Sequence, residues 1–225
     1  MKISGIQKVS LVDYPEHVAT TLFTSGCNFA CPFCHNAGLV KGNEPEIPTT
    51  EILDYLQKRA NVIDAVCISG GEPTIHHDLP SFISKIKEMG FLVKLDTNGT
   101  NLSMVKHLVD NNLIDYIAMD IKNSPEKYPI TAKCSLPNIK EVVDYIMSCG
   151  IPYEFRTTLV DGHHTHEDMH SIANLIKGAE NYYLQKFEDS GNCLASGLSP
   201  IDKSTVDEFC TILKSNIKNI HLRGY

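Results

Sequence analysis

Apolar and polar positions along the 225-residue chain follow two alternating rhythms. Short runs rich in β-branched and apolar residues recur at even spacing, at 18–23, 65–69, 91–95, 116–119, 153–159 and 182–187. Each predicts a buried strand. Between them, segments 50–59, 79–89, 104–111, 139–147, 166–176 and 205–213 carry helical periodicity. In the first of these, Ile52, Leu53 and Leu56 share a face. Thr49 or Thr50 is the expected cap, and Glu51 suits the positive end of the helix dipole. Short Gly, Pro or Asn punctuation separates the units.

Repeated strand and helix units imply an α/β fold with a mostly parallel sheet and right-handed crossovers. Two closures compete: a flat doubly wound sheet and a curved, partial (β/α) barrel. A complete eight-unit barrel typically takes about 250 residues, so this chain is short for one. It shows no internal repeat, low-complexity tract or linker, which predicts a single domain over 1–225. In either closure, chemistry gathers at the carboxyl ends of the strands. The unusual polar residues sit there. Successive strands run into Gly26-Cys27, Gly70-Gly71-Glu72-Pro73, Asp96-Thr97-Asn98-Gly99 and Asp120-Ile121-Lys122; the last two carry Arg156 and end near Gln185. One shared site is the simplest explanation.

Composition narrows the function. Hydrophobic residues make up 42% and charged residues 21%, enough for a core that needs no metal staple. Any metal is therefore expected to be functional. The net charge of −7 argues against nucleic-acid or membrane-surface binding. No apolar run approaches the roughly 20 residues of a membrane span. The first fifteen residues lack the apolar core and cleavage site of a signal peptide, so a cytoplasmic location is expected. Of eight cysteines, Cys27, Cys31 and Cys34 fall within eight residues, while the other five are scattered and read as buried or half-buried thiols.

The clustered three share a task. Structural zinc takes four ligands, and the nearest fourth here is His35, adjacent to Cys34 and hard to bring to the same ion. Iron–sulfur clusters suit thiolates, normally four. Three would leave one iron open to a small molecule, as a catalytic metal site requires.

Cys27-x3-Cys31-x2-Cys34, with Phe33 before the last cysteine and Gly70-Gly71-Glu72-Pro73 at the next strand end, resembles the radical S-adenosylmethionine (SAM) superfamily. The resemblance implies a partial (β/α)6 TIM-type barrel and one 4Fe–4S cluster on Cys27, Cys31 and Cys34, with SAM chelating the fourth iron. It places Phe33 near the adenine, and Gly70, Gly71 and Glu72 near the methionine amino group. Cys34-His35-Asn36, Asp96-Thr97-Asn98-Gly99 and Asp120-Ile121-Lys122 are further similar to the activating enzymes of glycyl radical enzymes, over nearly the whole chain. That match implies contacts from Asn36, Asn98, Lys122 and Arg156 to the cofactor, with Lys122 able to pair with its carboxylate. Some such activases hold a monovalent cation. If this carries over, its ligands are Asp96, Thr97, Asp120 and the carbonyl of Ala118. Segments 10–15, 156–160 and 182–187 most resemble the activators of anaerobic ribonucleoside-triphosphate reductase.

The implied reaction is reductive cleavage of SAM, after which the 5′-deoxyadenosyl radical takes a hydrogen atom from a glycine of a partner protein. The electron comes from a flavodoxin- or ferredoxin-type donor. The cofactor supplies the chemistry, so no general base is required and no further catalytic residue is nominated. Three alternatives stay open: an activase for another glycyl radical enzyme such as a pyruvate formate-lyase, a radical enzyme acting on a small molecule as in 7-carboxy-7-deazaguanine synthesis, and a zinc or redox binding module. Plain roles compete as well. Glu72 is able to satisfy backbone donors, and Asn98-Gly99 is an ordinary turn signal. The histidines at 76–77 and 163–166 are expected to be solvated loop residues. Cys193, within 190–193, is expected to be a passive thiol near the site. The closing Leu222-Arg223-Gly224-Tyr225 resembles the loop that bears the glycyl radical in target enzymes, a match too short to carry weight and read as coincidence.

Overall fold

The computed structural model describes residues 1–134, 139–189 and 191–225. Its strands are β1 (Ile3–Ser10), β2 (Ala19–Thr24), β3 (Ala65–Gly70), β4 (Leu92–Thr97), β5 (Tyr116–Asp120), β6 (Tyr153–Leu159), β7 (Asn181–Lys186) and β8 (Asn219–Arg223). They stand in the order β1 to β8 in an eight-stranded sheet. The helices are α1 (Ala37–Lys41), α2 (Thr49–Arg59), α3 (Leu79–Glu88), α4 (Leu102–Asp110), α5 (Tyr128–Thr131), α6 (Ile139–Ser148), α7 (His166–Leu175) and α8 (Lys203–Leu213), with one 3-10 turn at Pro73–Ile75. The six predicted strands are β2 to β7. Strands β1 and β8 are additional. Only Ile3 and Ser10 of β1 are buried, and β8 has no buried residue, so neither writes a strong apolar pattern.

The chain packs as two compact units. The first comprises Met1–Asn28, Gly38–Thr97 and Asn101–Ile117. Here β1 pairs antiparallel with β2, and β2, β3 and β4 run parallel. Leu22, Val66, Ile68, Val93 and Leu95 are fully buried. Helices cover such sheets, which is why these strands read as continuous apolar runs. Register sets Thr21 beside Cys67 and Cys67 beside Lys94. Helix α3 buries Leu79, Phe82, Ile83 and Ile86, the spacing of one helical face. Helix α2 begins one residue earlier than its expected cap allows: Pro48 holds the cap position without a side-chain bond, so neither Thr49 nor Thr50 caps it. Proline's fixed φ directs the chain into the helix without an acceptor.

The second unit comprises Phe29–Ala37, Asn98–Thr100 and Ala118–Tyr225. Strands β6, β7 and β8 run parallel. Helix α7 opens on a capping box, Thr165 and Asp168 each bonding the other's backbone N–H, and buries Met169, Ile172 and Ala173. Asp202 caps α8, which buries Val206, Phe209 and Leu213. Among the described residues no helix is long and apolar enough to cross a membrane.

Candidate active site

In the first unit, β2 ends in the turn that leads to Cys27, and β3 ends against that turn. Gly71 N–H donates to the Thr24 carbonyl at 2.8 Å, and Glu72 N–H to the Gly26 carbonyl at 2.9 Å. A Cβ on Gly71 would lie 1.9 Å from the Gly26 oxygen; one on Gly70, at φ +120°, would lie 2.2 Å from Thr24 N. Both obstacles are backbone, which no rotamer change relieves. The two glycines therefore fix the approach to Cys27, a structural task beside the cofactor contact implied for them. Glu72 is fully buried. Its Oε1 accepts from Thr74 N at 3.0 Å, Thr74 Oγ1 at 2.5 Å and Thr97 Oγ1 at 2.7 Å. The carboxylate thus caps the Pro73–Ile75 turn and ties it to the end of β4, the plain role weighed for it above. Asp96 accepts from Lys94 Nζ at 2.7 Å and Ser69 Oγ at 3.0 Å.

In the second unit, the segment carrying Cys31 and Cys34 is tethered along its length. Ala30 N–H donates to Ala132 O at 3.0 Å, Ala195 N–H to Pro32 O at 2.9 Å and Ala37 N–H to Asn192 O at 3.4 Å. Cys34 N–H closes a turn on Cys31 O at 3.1 Å. Phe33 is buried, its ring 5.9 Å from that of His163 and 6.0 Å from that of His164. His35 stacks on Phe187 at 5.4 Å, with Cys193 Sγ 4.0 Å from its Nδ1. Ser190, in the same loop, lies outside the described residues. Asn36 is exposed. Buried Asn98 accepts from Thr100 N at 3.0 Å and Thr100 Oγ1 at 2.7 Å, an Asx turn. A Cβ on Gly99, at φ +78°, would meet Met119 Cε at 2.2 Å.

The same unit brings Asp120, Lys122 and Arg156 together. Asp120 Oδ1 accepts from Arg156 Nε at 2.7 Å and Oδ2 from Lys122 Nζ at 2.9 Å. Burial would raise the Asp120 carboxyl; Arg156 and then Lys122 outweigh it and hold the group well below the carboxylate range. Burial would lower Lys122, but Asp120 and then Cys31 overrule it and keep the ammonium charged. Burial raises the Cys31 thiol, against the pull of Lys122.

Sequence reasoning missed what fixes Lys122. Tyr128 Oη accepts from its N–H at 2.9 Å, and His164 Nε2 meets its carbonyl at 3.0 Å. His164 Nδ1 accepts from Val160 N–H at 3.1 Å, which assigns the proton to Nε2. His164 is 4% exposed. The expectation of solvated loop histidines fails here, because two backbone groups of the fold close on this ring. His76 is half-buried, its Nε2 without a hydrogen-bond partner. Also missed was Glu154, fully buried between Arg156 Nη1 at 3.9 Å and Arg223 Nη2 at 3.2 Å. Arg223 thus extends the charged row of Lys122, Asp120, Arg156 and Glu154.

Burial pushes His164 down to about 4 from 6.5. The unfolded chain takes up a proton through the ordinary range, whereas the folded ring resists until about pH 4. Stability is therefore full above about pH 6.5 and falls by about 3 kcal/mol on descending to pH 4. Denaturant melts of wild type and His164→Gln at pH 7 and pH 5 check this: the pH-dependent loss should be clearly smaller in the variant.

The chemistry of Cys31 and Cys34 suits ligation of an iron–sulfur cluster. Among the described residues no three His, Cys, Asp or Glu side chains form a cage for a bare metal ion. A cuboidal cluster needs no such cage, since each thiolate binds a different iron. The tethered loop gives two thiols a fixed backbone, and Lys122 supplies positive charge toward both. That charge favours thiolate and an anionic cluster. Lys122 and Arg156 also offer donors to a cofactor carboxylate.

Comparison with known proteins agrees. The Radical SAM superfamily matches residues 21–176. A Methanocaldococcus jannaschii protein named "Putative glycyl-radical enzyme activating enzyme" is 34% identical over 233 positions, covering 98% of this chain and 95% of that one. SuiB of Streptococcus suis, solved bound to the precursor peptide SuiA, superposes at a TM-score of 0.69 with 15% identity, over 91% of this chain and 48% of its own. This chain thus spans about half the length of SuiB. A domain of the pyruvate-formate lyase-activating enzyme of Bacteroides vulgatus gives 0.56 with 18% identity, over 70% of this chain and 98% of that domain. At these identities the two structures show the fold alone. The chain belongs to the radical SAM superfamily, an enzyme family built on a 4Fe–4S cluster and S-adenosylmethionine.

Proposed function

We propose that the chain activates a glycyl radical enzyme, with anaerobic ribonucleoside-triphosphate reductase as its partner. The observation that carries the class is the end-to-end likeness to the Methanocaldococcus jannaschii protein, at 34% identity over 95% of that protein's length. Segments 10–15, 156–160 and 182–187 favour the reductase among partners.

The bound cluster and SAM supply the radical that abstracts hydrogen from the partner's glycine. Cys27, Cys31 and Cys34 hold the cluster and leave one iron for the cofactor. Lys122 and Arg156, aligned by Asp120, orient the cofactor carboxylate. The backbone of Lys122 is itself fixed by Tyr128 and His164. Phe33, Asn36, Gly70, Gly71, Glu72 and Asn98 complete the proposed cofactor contacts. Partial burial of the charged groups limits competition from water for their bonds. The electron comes from a flavodoxin- or ferredoxin-type protein.

The test is anaerobic. Reduced, cluster-loaded protein, SAM and the reductase are mixed and examined by electron paramagnetic resonance. A glycyl radical on the reductase is expected, with one 5′-deoxyadenosine formed per radical. Steady cofactor turnover coupled to a small molecule, with no radical on any glycyl radical enzyme offered, would overturn the activase reading.

A further inference from the structure

The donor set implied for a monovalent cation, from Asp96, Thr97, Ala118 and Asp120, does not fit one. On β4, Lys94 and Asp96 are two residues apart and so share a face. Lys94 Nζ donates to Asp96 Oδ1 at 2.7 Å, and Ser69 Oγ occupies Oδ2 at 3.0 Å. Lys94 is 2% exposed. Its ammonium lies 4.0 Å from Cys67 Sγ and 5.9 Å from the centre of the Tyr116 ring. Thr97 directs its hydroxyl hydrogen to Glu72. In the second unit, Asp120 is held by Lys122 and Arg156. Each aspartate therefore already has a cation from the chain, and an added ion would meet like charge at either one.

We infer that the Lys94 ammonium is the built-in counter-ion of Asp96 and takes the place of a free monovalent cation, so that SAM binding needs no added sodium or potassium. A buried ammonium requires a paired anion, and Asp96 supplies it. Tethering makes the pair independent of the salt in solution. The inference rests on the radical SAM reading and refines its cofactor site.

The test follows cation binding and SAM affinity in cluster-loaded protein. Thallium(I) reports a potassium site as an NMR line broadening that potassium reverses. Wild type should show no reversible broadening. Its SAM dissociation constant should agree within about twofold in potassium, sodium and tetramethylammonium chloride, a difference too small to represent a lost charged contact. Lys94→Ala should gain the broadening and lose about tenfold in SAM affinity in tetramethylammonium, with recovery in potassium or ammonium. Potassium-reversible broadening in wild type overturns the inference, and so does a folded Lys94→Ala that binds SAM equally in all salts. Should Lys94→Ala fail to fold, the wild-type thallium measurement decides alone. Glycyl radical formation plays no part here, so failure of this inference and failure of the activase reading are distinguishable.

Discussion

Replacing Cys31 by Ala is expected to abolish SAM cleavage altogether. Cys31 is buried on a loop pinned through Ala30, Pro32 and Ala37, so no neighbouring thiol can move into its place without breaking those bonds. Two thiolates leave two irons without protein ligands, and a cluster so held is readily lost. Burial pushes the Cys31 thiol up against the pull of Lys122, and bound iron would favour its thiolate. Iron analysis and 5′-deoxyadenosine assay on anaerobically reconstituted Cys31→Ala check this. Retained cleavage would mean that Cys31 is not a ligand. Cys193→Ala provides the contrast. It removes a thiol beside His35, outside the cysteine triplet, and should leave the iron content unchanged.

Asp120→Ala is expected to have the second largest effect. It removes the carboxylate between Arg156 and Lys122 and leaves two like charges facing each other. Breaking a fully buried pair costs about 3–5 kcal/mol; partial exposure of Asp120 brings the expected loss to about 2–3 kcal/mol. SAM affinity should fall as well, since the two donors lose their alignment. The sign of the pH response separates this residue from His164. A depressed carboxyl contributes stability above its unfolded value that is lost only as pH falls through the folded value. The Asp120 contribution therefore persists at pH 5, where the His164 contribution is already declining. Melts at pH 7 and pH 5 should show Asp120→Ala destabilised by similar amounts at both.

The sequence made the site legible where backbone punctuation and chemistry coincide. Cys27, Cys31 and Cys34 stand out by spacing, and Gly70-Gly71-Glu72 by its place at a strand end. Asp120 closes β5 and Lys122 follows it by two residues, a spacing that sets both at the same strand end, and Arg156 could be placed on β6 from periodicity alone. What stayed hidden depends on tertiary contact. His164 sits in a polar run that reads as solvent, yet Val160 and Lys122 close on it across the fold. The spacing of Lys94 and Asp96 on β4 sets them on one face, but the burial of Lys94 beside Cys67 shows only in the fold. Glu154 looks like any strand glutamate until β8 brings Arg223 alongside. Strand β1 was hidden because its middle residues face solvent. The motif at 10–15 proved largely a turn: Ser10 Oγ accepts from Val12 N and Asp13 N, leaving Leu11 and Val12 74% and 78% exposed.

The most direct measurement is made on anaerobically reconstituted, reduced protein. Iron is counted, and the cluster's electron paramagnetic resonance spectrum is recorded before and after SAM is added. About four irons per chain and a spectrum altered by SAM are predicted, because the iron without a cysteine ligand receives the cofactor. Protein that binds no iron, or a cluster whose spectrum is indifferent to SAM, would contradict the account.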